Sequence, residues 1–368
     1  MAQHHPHHPH NLGIEISMIP LEDLDVCVRE VEFRQAGWPV VFVHGNVSSS
    51  PFFFPTMLAL PDQFRPIAID LRGFGGTDTR PVDATRGLRD FADDVRAVLQ
   101  VMGLTDVHLV GWSMGGGVVM QMAIDEADRV ASVTLINPVS PFGFGGTTGT
   151  DGRLLAPDGA GSGAGTVNPE FVAALAGDDI PDESPSSARS VLHSFYVAPG
   201  WHSDHEETFV TSMMSTAVGP DNYPGEAVPS TTWPGTAPGR RGVLNALAPV
   251  NLDLSPFADI DPAPPVLWVR GELDPIISDA SSLDLAQLGA LGVVPGYPGL
   301  EVAPPQPMLA QTRSVLDSYA SAGGAYEEVV MPGVGHSPHI EATEEFTATL
   351  ARFLDSAQAE LTEPVDLG

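Results

Sequence analysis

The segment Val107-His108-Leu109-Val110-Gly111-Trp112-Ser113-Met114-Gly115-Gly116-Gly117 decides the fold. Val107–Val110 reads as a short buried strand, and a Gly-rich helix opens at Met114. Between them stands Gly111-Trp112-Ser113-Met114-Gly115, a G-x-S-x-G pentapeptide at a strand-to-helix junction. A turn this tight pushes the serine side chain out above the sheet edge. The flanking glycines remove side chains that would collide with neighbouring backbone. A serine held in this way is a candidate nucleophile. The alternative is a Gly-rich turn with an incidental serine.

Working outward, short β-branched runs alternate with helix-like stretches. Ile14–Ile19 and Val26–Phe33 read as an opening strand pair, followed by strands at Val40–Val43 and Ile67–Asp70. Apolar Leu88, Phe91, Val95, Val98, Leu99 and Met102 recur at three and four, which predicts an amphipathic helix. Val133–Asn137 is the next strand. Apolar runs unbroken by polar residues fit strands covered on both faces, as in a mostly parallel α/β sheet flanked by helices.

From Pro138 to about Pro265 the periodicity disappears. This stretch and Gly292–Pro307 together hold 41 of the 73 Gly and Pro residues. Within it Pro169–Ala176 and Glu206–Ala217 are helical candidates, and Gly159–Gly165 (GAGSGAG) looks like a linker on composition. Strands return at Val266–Arg270 and Glu327–Met331, with helices expected near Met308–Ala322 and Ala342–Ser356. The expected organisation is a core of residues 12–137 and 263–357, a loop-rich lid at 138–262, and a disordered His-rich tail at 1–11.

A serine hydroxyl is a weak nucleophile at neutral pH, so it needs a base, and the base needs an orienting acid. Asp274, in the turn after Val266–Arg270, is the expected acid; Glu272 and Asp279 compete, and Asp253, Asp259 and Asp261 are weaker rivals. His336, in Gly335-His336-Ser337-Pro338-His339 after the last strand, is the expected base, with His339 as its rival. A tetrahedral intermediate also needs two N–H donors. Met114, next to the nucleophile, supplies one, and Asn46 in His44-Gly45-Asn46-Val47 the other.

Taken together, His44-Gly45-Asn46, Asp70-Leu71-Arg72-Gly73-Phe74-Gly75, the Gly111–Gly115 turn, Gly271–Asp274 and Gly335-His336 resemble the α/β-hydrolase superfamily. The resemblance spans nearly all the chain except the lid and the tail. It implies an α/β-hydrolase fold and an order of nucleophile, acid and base that Ser113, Asp274 and His336 satisfy. Two departures stand out: the acid and base are unusually far apart in sequence, and the insert is larger and richer in Gly and Pro than a plain helical cap. Members of the superfamily that open epoxides or remove halides carry Asp as nucleophile. Ser113 therefore implies acyl transfer, on an ester or lactone of a small, largely apolar substrate. The alternatives are a C–C bond hydrolase or an aminopeptidase with the same triad, or a non-catalytic ligand binder. Asp70 is read as a loop-former rather than an acid.

Aromatic residues supply pocket candidates: Phe53 of the Phe52-Phe53-Phe54 run, Trp112, and Trp201 and Trp233 in the lid. Their alternative is core packing. His202-Ser203-Asp204-His205 has metal-ligand residue types but no ligand spacing, so no metal is expected, and the chemistry needs no cofactor. Glu206 and Glu207 offer carboxylates for a substrate amine, or a solvated helix start.

Sixteen bases, all Arg, stand against 47 acids, for a net charge of −31. Nucleic acid and anionic membranes both demand clustered cations, so neither is an expected partner. No apolar run approaches the ~18 residues of a membrane span. The single cysteine, Cys27, permits no internal disulfide, which points to the cytoplasm. The expected partner is a small-molecule substrate; the sequence sets no oligomeric state.

Overall fold

A computed structural model describes residues 13–362; the His-rich tail expected at 1–11 lies outside them. Eight strands form the central sheet: β1 (Ile14–Pro20), β2 (Asp25–Val31), β3 (Trp38–Val43), β4 (Phe64–Ile69), β5 (Val107–Trp112), β6 (Val130–Ile136), β7 (Val266–Gly271) and β8 (Tyr326–Met331). Their spatial order is β1-β2-β4-β3-β5-β6-β7-β8. β2 runs antiparallel to both its neighbours, and every pairing from β4 to β8 is parallel.

The principal helices are α1 (Arg89–Val101), α2 (Met114–Asp125), α3 (Pro169–Leu175), α4 (Glu206–Met214), α5 (Met308–Ser321) and α6 (Thr343–Thr362). α2 packs on β5 beside α1, and α6 packs on β6. Val40, Val41, Phe42 and Val43 of β3 are all buried, as is the whole of β5, because helices cover both faces. α1 turns Phe91, Val95, Val98 and Leu99 inward. Its buried Asp90 and Asp94 are held by Arg72, with Arg86 also on Asp90. The outer strand β8 is half exposed and carries Glu327 and Glu328, each paired with arginine, which blunts its edge.

The register puts the carboxyl ends of the parallel strands level. Val43 pairs with Gly111, Trp112 with Ile136, Ile136 with Val269, and Gly271 with Met331. The loops that follow β3, β5, β6, β7 and β8 therefore leave the sheet from one edge.

The segment inserted between β6 and β7 contains α3, α4, a π-helical turn at Leu192–Tyr196 and three two-stranded pairings. GAGSGAG is not a linker. Gly159–Ser162 is buried, a Cβ on Gly145 would touch the Ser162 backbone, and one on Gly165 would sit 2.1 Å from the Glu226 carbonyl oxygen. Glycine lets backbone pack on backbone here, and composition alone cannot tell such packing from flexibility.

The second irregular stretch is tied to the first. The Gln306 amide donates to the Gly143 carbonyl (3.1 Å) and to Gln311 Oε1 (2.6 Å). Gln311 also accepts from the Ser140 hydroxyl (2.7 Å) and donates to the Gly149 carbonyl (2.9 Å). The core helix α6 runs past the expected end at residue 357 to Thr362.

Candidate active site

Ser113 follows the last residue of β5 at φ 57°, ψ −119°, a left-handed backbone that costs a non-glycine residue energy and is found where function requires it. The turn is pinned on both sides. The Ser113 N–H donates to the Ile136 carbonyl (2.9 Å), and its carbonyl accepts from Gly116 (3.0 Å) and Val139 (3.0 Å). Glycine is obligatory here: a Cβ on Gly115 would lie 2.1 Å from the Val43 carbonyl oxygen, and one on Gly111 would lie 2.3 Å from that of Gly115. Ser113 itself is partly exposed between buried neighbours.

Asp274 and His336 meet although they are 62 residues apart. His336 Nδ1 lies 2.8 Å from Asp274 Oδ2, and both side chains are buried. Asp274 Oδ1 accepts from the backbone N–H groups of Ile276 (2.7 Å) and Ile277 (3.1 Å). A carboxylate can only accept, so Nδ1 carries the proton and Nε2 is left free to take one. The His336 carbonyl is anchored by the Trp112 indole N–H (2.9 Å) and the Asn137 amide (2.8 Å). The base loop is thus fastened to the residue adjoining the nucleophile.

The rival acids have other work. Glu272 accepts from the Gly333 N–H (3.0 Å), Asp279 caps α5 at Leu309 (2.8 Å), and Asp253 caps the Ser255 turn (2.9 Å); Asp259 and Asp261 are exposed. His339, the rival base, is buried among Phe53, Trp112 and Phe346, and neither ring nitrogen has a protein partner. Burial, and then the neighbouring His336, hold its pKa well below the usual imidazole value.

Gly45 abuts the nucleophile: a Cβ there would lie 2.9 Å from Ser113 Cβ. Asn46 follows, and Met114 is the first residue of α2, whose N–H has no intrahelical acceptor. The loop holding Asn46 is rigid. His44 Nε2 accepts from the Leu71 N–H (3.0 Å), so its Nδ1 carries the proton and donates to the Gly45 carbonyl (2.8 Å). Burial pushes the His44 pKa down to about 4, which keeps the ring neutral.

Asp70 is a loop-former, as expected. Fully buried, it pairs with Arg29 and accepts from the Ser50 N–H (2.8 Å) and the Gly76 N–H (2.8 Å). Burial alone would raise its pKa, but Arg29 and these donors hold it below the ordinary value.

The pocket candidates fare unevenly. Trp112 stacks on Phe52 (5.0 Å between centroids) and lies 5.5 Å from the His336 ring, so it supports the site from beneath. Phe53 is core, packed on Phe42 and His339. Trp201 packs on Phe209 and His193, within the lid. Trp233 stands against Tyr297 and donates to the Pro295 carbonyl (3.0 Å), joining the lid to the second irregular stretch rather than lining the triad. Glu206 and Glu207 are both engaged by Arg189, and Glu206 also by His193.

One residue at the site, Asn137, escaped sequence reasoning. Asn137 binds the His336 carbonyl with its amide and accepts from the Gly271 N–H (3.2 Å) with its oxygen, bridging β7 and the base loop. An asparagine directly after an apolar strand was the available signal, since asparagine tolerates the positive φ (38°) that Asn137 adopts. Tyr196 comes from the lid. Its hydroxyl donates to the Asn46 carbonyl (2.8 Å) and its ring stands edge-on to His336 (6.0 Å). In the sequence it is one of six aromatic residues of the inserted segment, with Phe142, Phe144, Phe195, Trp201 and Trp233, whose type suits a pocket wall or that segment's own core.

This sheet order, with the serine at the strand-to-helix turn and the Asp–His pair at the same edge, is the arrangement of the α/β-hydrolase fold. Residues 39–161 match the family model described as the alpha/beta hydrolase fold. The chain is 37% identical over 106 residues to the dihydrolipoyllysine-residue acetyltransferase component of the acetoin cleaving system of Cupriavidus necator, covering 29% of this chain and 27% of that one. It is 30% identical over 103 residues to the carboxylesterase YbfK of Bacillus subtilis, covering 28% and 34%. The YbfK crystal structure superposes with a TM-score of 0.55 at 14% identity, over 94% of this chain and 92% of that one. A solved N-acyl homoserine lactonase, AidH, gives 0.52 at 19% identity, over 94% and 97%. At these identities the structures show the fold. The matched segments span between about a quarter and a half of the curated relatives' length. The chain has the α/β-hydrolase fold, with an inserted segment carrying small sheets of its own.

Proposed function

We propose that the protein is a serine hydrolase that cleaves a carboxylic ester or lactone of a small, largely apolar substrate through an acyl-enzyme. The observation that carries this reading is the Asp274–His336 pair, at 2.8 Å, on the sheet edge where Ser113 stands at φ 57°. Ser113 Oγ attacks the substrate carbonyl carbon while His336 Nε2 takes the hydroxyl proton. The oxyanion is held by the backbone N–H groups of Asn46 and Met114. The tetrahedral intermediate collapses, and the leaving oxygen departs with the proton from His336. Water then attacks the acyl-enzyme under the same base and releases the acid. Relatives named as a carboxylesterase and a lactonase support the choice of bond. The ion pairs from Arg189 weigh against Glu206 and Glu207 as an amine site, and so against an aminopeptidase.

Ser113→Ala should abolish turnover of p-nitrophenyl acetate and labelling by a fluorophosphonate, with the circular dichroism spectrum unchanged. Turnover near wild type in that variant would refute the mechanism.

A further inference from the structure

Glu341 is a half-buried carboxylate whose hydrogen-bond partners are all backbone N–H groups. It accepts from Gly335 (3.0 Å) and Ser337 (3.0 Å), the two residues that flank His336. Its remaining capacity goes to the lid, where the Ala198 N–H donates to Oε2 (2.6 Å). One carboxylate therefore grips the base loop on both sides of the base and the lid segment crossing above it. Each bond has a charged acceptor, the stronger class of hydrogen bond.

This lid segment has no slack. A Cβ on Gly335 would fall 2.7 Å from the Ala198 nitrogen and 2.9 Å from the Val197 carbonyl carbon, so the segment rests directly on the base loop. Two residues earlier, Tyr196 ends the π-helical turn and holds the Asn46 carbonyl. Such turns recur at functional sites because they re-aim a side chain within a helix. The stretch 196–198 thus touches the oxyanion loop through Tyr196 and the base loop through Glu341. From below, His336 is held by Trp112 and Asn137, both part of the core. If the lid lifts, these core contacts stay, while the Glu341–Ala198 bond and the packing of the Tyr196 ring on His336 change. Burial pushes the Glu341 carboxyl above its ordinary value, while the N–H donors and His336 pull it back.

We propose that Glu341 is a positioning residue for His336 and that it couples seating of the lid to alignment of the base; this rests on the serine-hydrolase reading above. With the segment 196–198 seated, the carboxylate is fixed by three donors and the loop is locked. With that segment lifted, the carboxylate loses its lid donor and the loop gains freedom at the His336 position.

Two variants of the full chain test this against p-nitrophenyl acetate, with fluorophosphonate titration counting competent sites. Glu341→Gln should lower kcat about tenfold or more, with KM changed less than about twofold, since misplacement of a catalytic group acts on the chemical step. Ala198→Pro removes the lid donor and sets a ring carbon against the Glu341 carboxylate, so both effects unseat this segment; Val197 is already extended (φ −133°, ψ 157°), as a residue before proline must be. It should lower kcat in the same sense, by about threefold or more. If kcat per titrated site is unchanged in both variants, or only Tm falls, the proposal is overturned. A loss in Glu341→Gln with wild-type kcat in Ala198→Pro overturns the coupling to the lid. Should Glu341→Gln fail to fold, Ala198→Pro decides the coupling alone. Absence of labelling in the wild-type protein would instead remove the serine-hydrolase reading beneath the proposal.

Discussion

His336 Nδ1 and Asp274 Oδ2 lie 2.8 Å apart in a buried pocket, and the other Asp274 oxygen is held by two backbone N–H groups of its own loop. The carboxylate is thus fixed by its own loop as well as by the imidazole, and the Nδ1 contact leaves His336 Nε2 unprotonated.

Asp274→Asn follows from that geometry. The asparagine oxygen can still accept from Ile276 and Ile277, so the loop should keep its shape. Its amide would then face Nδ1 as a donor and favour the wrong tautomer of His336. Turnover of p-nitrophenyl acetate should fall by about 10²–10⁴ while the thermal midpoint moves little. A kcat within a few-fold of wild type would remove Asp274 from the triad.

His339 predicts a pH dependence of stability. Its folded pKa lies well below the ordinary imidazole value because burial, and then the neighbouring His336, disfavour the charged ring. The unfolded chain therefore binds a proton near pH 6.5 that the folded chain refuses, and stability falls as pH drops below about 6.5. His44, at about 4, and His108, also lowered by burial, act in the same direction. His339→Phe keeps a ring against Trp112 and Phe53 and removes one of these sites. Urea unfolding at pH 7 and pH 5 should show a smaller loss of stability in the variant than in wild type. Equal losses would mean that His339 is not held neutral.

Arg29 and Asp70 form a buried pair near the oxyanion loop, and Arg29 also donates to the Ser50 hydroxyl (2.6 Å). Arg29→Met keeps the apolar stem and leaves the Asp70 carboxylate without its cation. Breaking such a pair from one side costs about 3–5 kcal/mol. Urea unfolding at pH 7 should show a loss of that size, and a change under 1 kcal/mol would mean that Ser50 and Gly76 suffice to hold Asp70.

The candidate residues Ser113, Asp274 and His336 were legible because each stands in a local signal. Ser113 sits in a glycine-flanked turn, Asp274 before Pro275 after an apolar strand, and His336 after a glycine near the chain end. The choice of His336 over His339 was legible only as an expectation, since both lie within one short loop. Which of them meets Asp274 depends on where that loop crosses the sheet edge. Aromatic residues were the least legible. Phe53 and Trp233 have the right chemistry for a pocket wall, yet one is core and the other joins two loops. An aromatic side chain buries its surface equally well in either setting, so residue type does not distinguish them.

Period and glycine placement determined the α/β sheet, the strand-to-helix serine and the order in which Ser113, Asp274 and His336 follow their strands. These follow from short-range sterics, which act within a few residues and leave their mark on adjacent positions. Tertiary structure alone decided that GAGSGAG is packed, that Asn137 bridges the end of β7 and the His336 loop, and that Tyr196 and Glu341 bind the inserted segment to the Asn46 and His336 loops. Those contacts join residues up to about 200 positions apart through backbone N–H and carbonyl groups, which every residue carries. A partner that any residue can supply leaves no signature in the sequence until the chain is folded.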